Sequence, residues 1–194
     1  MTHYIENNDA LFIHIPKTGG TSISKWLANY KGAKRLGPKH GDLFDWQAKN
    51  HVPQFVFTAV RNPYARLLSY FFYAGEQTKE RINKDKWANK YNQEMIDTYN
   101  LGFSNSLNVS NYYPDVIMKN QVDYFDISSI NYMLRTENLK QDFQQIQQWL
   151  CCYEPLSILN KGKEVNYRDY YTSKDRKFIE KYFEKDLDIL KYTF

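Results

Sequence analysis

Seven consecutive residues, Pro16-Lys17-Thr18-Gly19-Gly20-Thr21-Ser22, set a cation and three hydroxyls around a pair of glycines. Glycines let backbone N–H groups come close to an anion, and a helix that starts there adds its positive end. The order differs from the GxxxxGK[ST] loop of nucleotide triphosphatases, where the lysine follows the last glycine. Here Lys17 precedes Gly19 and Gly20, so that ATP-hydrolysis motif is absent. From these residues alone, a plain Gly-Gly turn with an exposed lysine reads equally well.

A second set of anion-seeking groups is Arg61 and Ser69, eight positions apart in FTAVRNPYARLLSYF. A guanidinium offers paired donors to phosphate oxygens, and a hydroxyl adds one more. The commoner fates of these residue types are a surface ion pair and a bond back to a helix carbonyl. Lys161 and Lys163 flank Gly162 in a late NKGK loop that suits an anion or simply solvent.

Deprotonating a hydroxyl needs a base, and the histidines are His3, His14, His40 and His51. His3 is expected in a frayed terminus, and His14 inside a strand, committed to packing. His40 sits in the glycine-flanked loop GPKHGDLF. His51, in KNHVPQF, is the reserve and otherwise a polar loop residue; Glu137 is a carboxylate alternative that reads better as structural. No Asp, Glu or His cluster has metal-ligand spacing, so metal-independent chemistry is expected, with Lys17 and a helix N-terminus neutralising developing charge.

The elements that must hold these groups follow from periodicity. Ala10–Ile15 is a short apolar run bounded by Asp9 and Pro16, as a buried strand would be. Beyond the glycines, Ile23, Trp26, Leu27 and Tyr30 form one helical stripe. Residues 54–60 read as a second strand, leading through Arg61 to a helix with Asn62 as N-cap and Pro63 in its first turn. That helix carries Tyr64, Leu67, Leu68, Phe71 and Phe72 on its apolar face. Asn131–Thr136 starts a third unit, with Leu139, Phe143, Ile146 and Leu150 aligned behind it. A capping box at Thr172 and Asp175 opens a last helix with Phe178, Ile179, Tyr182 and Phe183 as its apolar face.

Repeated strand–helix alternation predicts an α/β fold, a three-layer domain with a mainly parallel central sheet flanked by helices. No repeat, low-complexity tract or linker interrupts the chain, so residues 1–194 are expected to form a single domain. The polar stretch 75–111 is its candidate inserted flap.

The chain has 194 residues, a net charge of +4 and 17% aromatic residues, too many for disorder. The charge is too mild to argue for nucleic acid. No apolar run reaches the ~18 residues that cross a bilayer, and the start lacks a secretory signal, so a soluble protein without stable membrane insertion is expected. Cys151 and Cys152 are adjacent and poorly placed to pair with each other, which suits a reducing, cytoplasmic compartment. Most aromatics must be core. Trp46, Trp87, Tyr112 and Tyr113 fall outside the clean stripes and are candidates for an acceptor cleft or adenine platform.

IPKTGGTS resembles the 5′-phosphosulfate loop of the sulfotransferases, in the branch that includes carbohydrate sulfotransferases such as the heparan sulfate 2-O type. FTAVRNPYARLLSYF resembles the family's 3′-phosphate motif, LRTENLKQDF its strand and helix with a Glu-Asn-Leu core, and NKGKEVNYRDYYT its late loop and final helix; together they span residues 11–194. The resemblance implies a P-loop-like fold and 3′-phosphoadenosine-5′-phosphosulfate (PAPS) as cofactor. It implies that Lys17, Thr18, Gly19, Gly20, Thr21 and Ser22 hold the 5′-phosphosulfate, and Arg61 and Ser69 the 3′-phosphate. The family's KH pair implies His40 as base toward a hydroxyl-bearing acceptor, a glycan for that branch. Two other functions compete: an ATP- and Mg²⁺-dependent small-molecule kinase, and a noncatalytic module that binds anionic glycans.

Overall fold

The chain is described by a computed structural model covering residues 2–36, 43, 46, 51–85, 90–109, 111–159, 162 and 165–194. It divides into two compact units, residues 1–61 with 120–160, and residues 62–119 with 161–194.

The first unit is built on a sheet. Strand β1 (His3–Ile5) turns through a 3-10 turn (Glu6–Asn8) and the left-handed Asp9 (φ 44°) into β2 (Ala10–Ile13). Helix α1 (Gly20–Ala28) is followed by β3 (Ala33–Arg35), β4 (Phe55–Val60) and β5 (Tyr132–Arg135). Among the described residues the sheet has five strands in the order β3-β1-β2-β4-β5. β2, β4 and β5 are mutually parallel, with Ala10 opposite Phe55 and Phe57 opposite Tyr132, whereas β1 pairs antiparallel with both β2 and β3.

Because β1 is antiparallel to both of its neighbours, β3 runs the same way as β2, β4 and β5, so four of the five strands are parallel and β1 alone is reversed; His3, in that reversed strand, is not frayed. It is 3% exposed, in an interior strand between Phe12 and Arg35. A three-residue strand is too short to show a period; its stability comes from ladders on both sides, which no local pattern reveals.

One face of this sheet is covered by α1 and by α6 (Leu139–Trp149); the intervening helices belong to the second unit. Ile23, Trp26 and Leu27 of α1 and Leu139, Phe143 and Ile146 of α6 enclose Phe12, Phe57, Ala59 and Leu134. Fully buried side chains such as Ile23, Phe143 and Ile146 each contribute about 1.5–3 kcal/mol relative to exposure. Leu11, Ile13, Val56 and Val60, on the other face, are also buried, as parallel strands require.

The second unit is helical: α2 (Pro63–Asp85), α3 (Lys90–Asn100), α4 (Phe103–Ser106), α5 (Asp115–Met118), α7 (Ser173–Tyr182) and α8 (Glu184–Leu190). Asn62 caps α2 as expected, its Oδ1 accepting from Tyr64 N at 3.0 Å. Tyr64, Leu67, Leu68 and Phe71 pack with Met95, Phe103, Tyr112, Ile117, Ile179 and Phe183. Met95 and Phe103 come from the stretch 75–111, most of which is helical where it is described.

The capping box of α7 forms: Thr172 Oγ1 accepts from Asp175 N at 3.2 Å, and Asp175 Oδ2 from Thr172 N at 2.9 Å. Only half of the expected α7 stripe is buried. Ile179 and Phe183 lie one turn apart on the face that carries Asp175. Phe178 and Tyr182, offset by about 100° of helix, are 39% and 44% exposed and pack against each other with ring centroids 5.6 Å apart.

Candidate functional site

The chain leaves β2 after Ile13, and the loop that follows is pinned first by a side-chain hydroxyl of its own. Thr18 Oγ1 donates to Ile15 O at 2.9 Å, so this hydroxyl turns inward and the residue is fully buried. Lys17 (φ 68°) and Gly19 (φ 81°) both adopt the left-handed conformation. For Gly19 this is free, whereas for lysine it stores strain of about 1 kcal/mol or more.

Both glycines are required by close packing. A β-carbon at Gly19 would overlap the Leu139 side chain, and one at Gly20 would overlap the His14 ring. Gly19 is the N-cap of α1 and supplies no side-chain cap, so the first turn presents main-chain donors at the positive end of the helix dipole. Thr21 is exposed there. Ser22 is 2% exposed, and its Oγ accepts from Leu159 N at 2.9 Å. That bond brings the segment before the NKGK loop to the start of α1.

Arg61 reaches the same loop. Its Nη1 donates to Lys17 O at 3.3 Å. Its main chain is bracketed by the Gln121 amide: Arg61 N donates to Oε1 at 2.9 Å, and Nε2 donates to Arg61 O at 2.8 Å. Thr136 Oγ1 lies 2.8 Å from Thr18 O and 2.9 Å from Val60 O, a donor shared between the glycine loop and the end of β4. Three strand ends thus converge on one anion-seeking corner with Lys17, the α1 N-terminus and the Arg61 guanidinium.

A model of the sulfotransferase family matches residues 3–193. The chain belongs to the sulfotransferase family. It is a transferase, and sulfuryl transfer is the chemistry of that family. No curated protein matches the sequence.

Within this sulfotransferase, the first unit brings Lys17, Thr18, Gly19, Gly20, Thr21, Ser22 and Arg61 together. Ser69 lies in the second unit, half-buried on the second turn of α2. His40, Lys161, Lys163 and Trp87 lie outside the described residues. Glu137 is exposed in the 3-10 turn after β5.

His51 is at the wrong end of the sheet for the glycine loop. It pairs with Asp9 (Nε2 to Oδ1, 2.5 Å) where β2 and β4 begin, and β2 alone, four residues long, separates the two ends by roughly 13 Å. Tyr4 Oη donates to Asp9 Oδ1 at 2.7 Å, and the Trp46 ring packs tilted against Tyr4 with centroids 5.0 Å apart while its Nε1 donates to His51 O. The hydrogen bond from His51 holds the Asp9 carboxyl below the usual range, and burial with the Asp9 contact pushes the Tyr4 hydroxyl up to about 12.

His14 is 3% exposed and stacks on Phe12, in keeping with a packing role. Tyr112 is a core residue, 2% exposed with its hydroxyl on Phe71 O, and Tyr113 bonds Ser106, so this pair does not form an open stacking surface. Among the described residues no group of three or more His, Cys, Asp or Glu side chains is placed to hold a metal ion, and no helix is long and apolar enough to cross a membrane.

Thr136 and Gln121 are the site residues that sequence reasoning missed. Thr136 stands inside the quoted LRTENL motif, where its place at a strand end was a usable signal. Gln121 sits in a polar stretch with no local pattern at all.

Proposed function

We propose that this sulfotransferase moves the sulfuryl group of PAPS to a hydroxyl of a carbohydrate acceptor, as in the heparan sulfate 2-O branch that its motifs resemble. The observation that carries this reading is the corner where the Arg61 guanidinium meets the Lys17 loop in front of an α1 N-terminus that has no side-chain cap. Such a corner suits a ligand with two anionic ends.

In this reading the main chain of Thr18–Ser22 and the Thr21 hydroxyl take the 5′-phosphosulfate, and Arg61 and Ser69 take the 3′-phosphate. PAPS supplies the activated sulfuryl group. Lys17 neutralises charge growing on the bridging oxygen, and His40 accepts the acceptor hydroxyl's proton. No metal is needed when a lysine and a helix N-terminus share the charge.

The family match spans both units, which supports reading 1–194 as one catalytic domain. Burial of β2 and β4 on both faces supports a three-layer, P-loop-like arrangement. The free thiols of Cys151 and Cys152 suit a reducing, cytoplasmic setting.

Calorimetry with adenosine 3′,5′-bisphosphate and transfer of labelled sulfur from PAPS to a glycan panel test the proposal together. Wild-type protein binds the bisphosphate and labels a glycan; His40→Ala keeps the binding and loses the transfer. Absence of binding overturns the donor assignment, and undiminished transfer by His40→Ala removes His40 from its role.

A further inference from the structure

The ladder between β2 and β4 ends at the pair Ile13 and Thr58, and beyond it Thr136 ties the following loop to the end of β4. Its hydroxyl oxygen stands between Thr18 O at 2.8 Å and Val60 O at 2.9 Å; the first carbonyl belongs to the glycine loop, and the second immediately precedes Arg61. Its methyl carbon faces Gly19, 3.8 Å from where a β-carbon there would stand. The Gln121 amide then fixes Arg61 itself at both main-chain atoms, from a fully buried position.

We infer that Thr136 is a positioning residue that sets the separation between the Lys17–Ser22 loop and Arg61, so that one two-ended anion engages both. The inference rests on the donor assignment above. A ligand that spans two subsites gains its second contact as an intramolecular event, and that gain depends on matched spacing. Losing the staple therefore weakens a two-ended ligand while leaving each one-ended ligand almost unaffected. A residue that merely supported the fold would weaken all of them alike.

The test is calorimetric titration of wild type, Thr136→Val, Thr136→Ala and Thr136→Ser with adenosine 3′,5′-bisphosphate, adenosine 5′-monophosphate and adenosine 3′-monophosphate. Thr136→Val keeps the shape and removes the donor, and Thr136→Ala serves if that variant does not fold. Thr136→Ser keeps the hydroxyl. The expected result is a loss of about tenfold or more for the bisphosphate in Val and Ala, changes within about twofold for both monophosphates, and near-wild-type binding in Ser. Equal losses for all three ligands, an unchanged bisphosphate affinity, or failure of Ser to rescue overturns the inference. Wild-type protein that does not bind the bisphosphate overturns the donor assignment, and this inference with it.

Discussion

The His14 imidazole occupies the volume that a side chain at Gly20 would need, directly beneath the first residue of α1. The ring is buried and stacked on Phe12, so it has little room to yield. Gly20→Ala is expected to destabilise the fold by about 1–3 kcal/mol through overpacking. In a His14→Ala background the same change should cost less than about 1 kcal/mol, because the obstacle is gone. Chemical denaturation of the four proteins measures this; additive losses would rule out the overlap as the cause.

Lys17 combines a charge proposed for the chemistry with a left-handed backbone. Lys17→Ala and Lys17→Gly should both reduce turnover by about a hundredfold or more, since each removes the same charge. Their stabilities should differ, with Lys17→Gly more stable than Lys17→Ala by about 1 kcal/mol, because glycine adopts φ 68° without strain. Thermal unfolding alongside a transfer assay separates the two effects, and equal stabilities would refute the strain.

Arg61→Lys tests the guanidinium rather than the charge. Lysine keeps the cation but has no planar fork to share between the Lys17 carbonyl and an anion. The expected loss is about tenfold or more in affinity for adenosine 3′,5′-bisphosphate, with the unfolding temperature nearly unchanged because Gln121 binds the main chain of residue 61. An affinity equal to wild type would show that only charge matters there.

Asp9 gives the pH dependence. Its carboxyl is held down chiefly by the hydrogen bond from His51, so its stabilising contribution is present above the unfolded value near 3.8 and fades as pH falls through the lower folded value. Asp9→Asn should therefore lose about 1 kcal/mol at neutral pH, a modest loss because the pair is partly solvated. Its stability curve should converge on that of wild type in acid below pH 3.8. A gap that stays constant down to pH 2 would contradict this.

Legibility in the sequence tracked how local each cause was. The loop before α1, the Asn62 cap and the Thr172–Asp175 box were readable because residue type and short spacing dictate the geometry. Strand β1 was not readable, because three residues are too few to show a period and its outer ladder is supplied by Ala33–Arg35, beyond α1. Thr136 and Gln121 act on main-chain atoms at distant strand ends, and any hydroxyl or amide in a loop looks alike until the sheet aligns those ends. Tyr112 and Tyr113 read as candidates for an acceptor cleft or adenine platform because they fall outside the clean stripes, yet Tyr112 fills the second unit's core.

The interior place of β1 also sets an order of assembly. Ile5 meets Ala10 across only residues 6–9, whereas Ile13 and Thr58, the pair of the β2–β4 ladder nearest in sequence, are joined by residues 14–57. Closing the longer loop costs about 2 kcal/mol more chain entropy. The β1–β2 hairpin can therefore form first and act as the template on which β4, and then β5, dock in parallel. The glycine loop is thus tied to a part of the chain that folds early, and Arg61 reaches it only when the slower parallel pairing is complete.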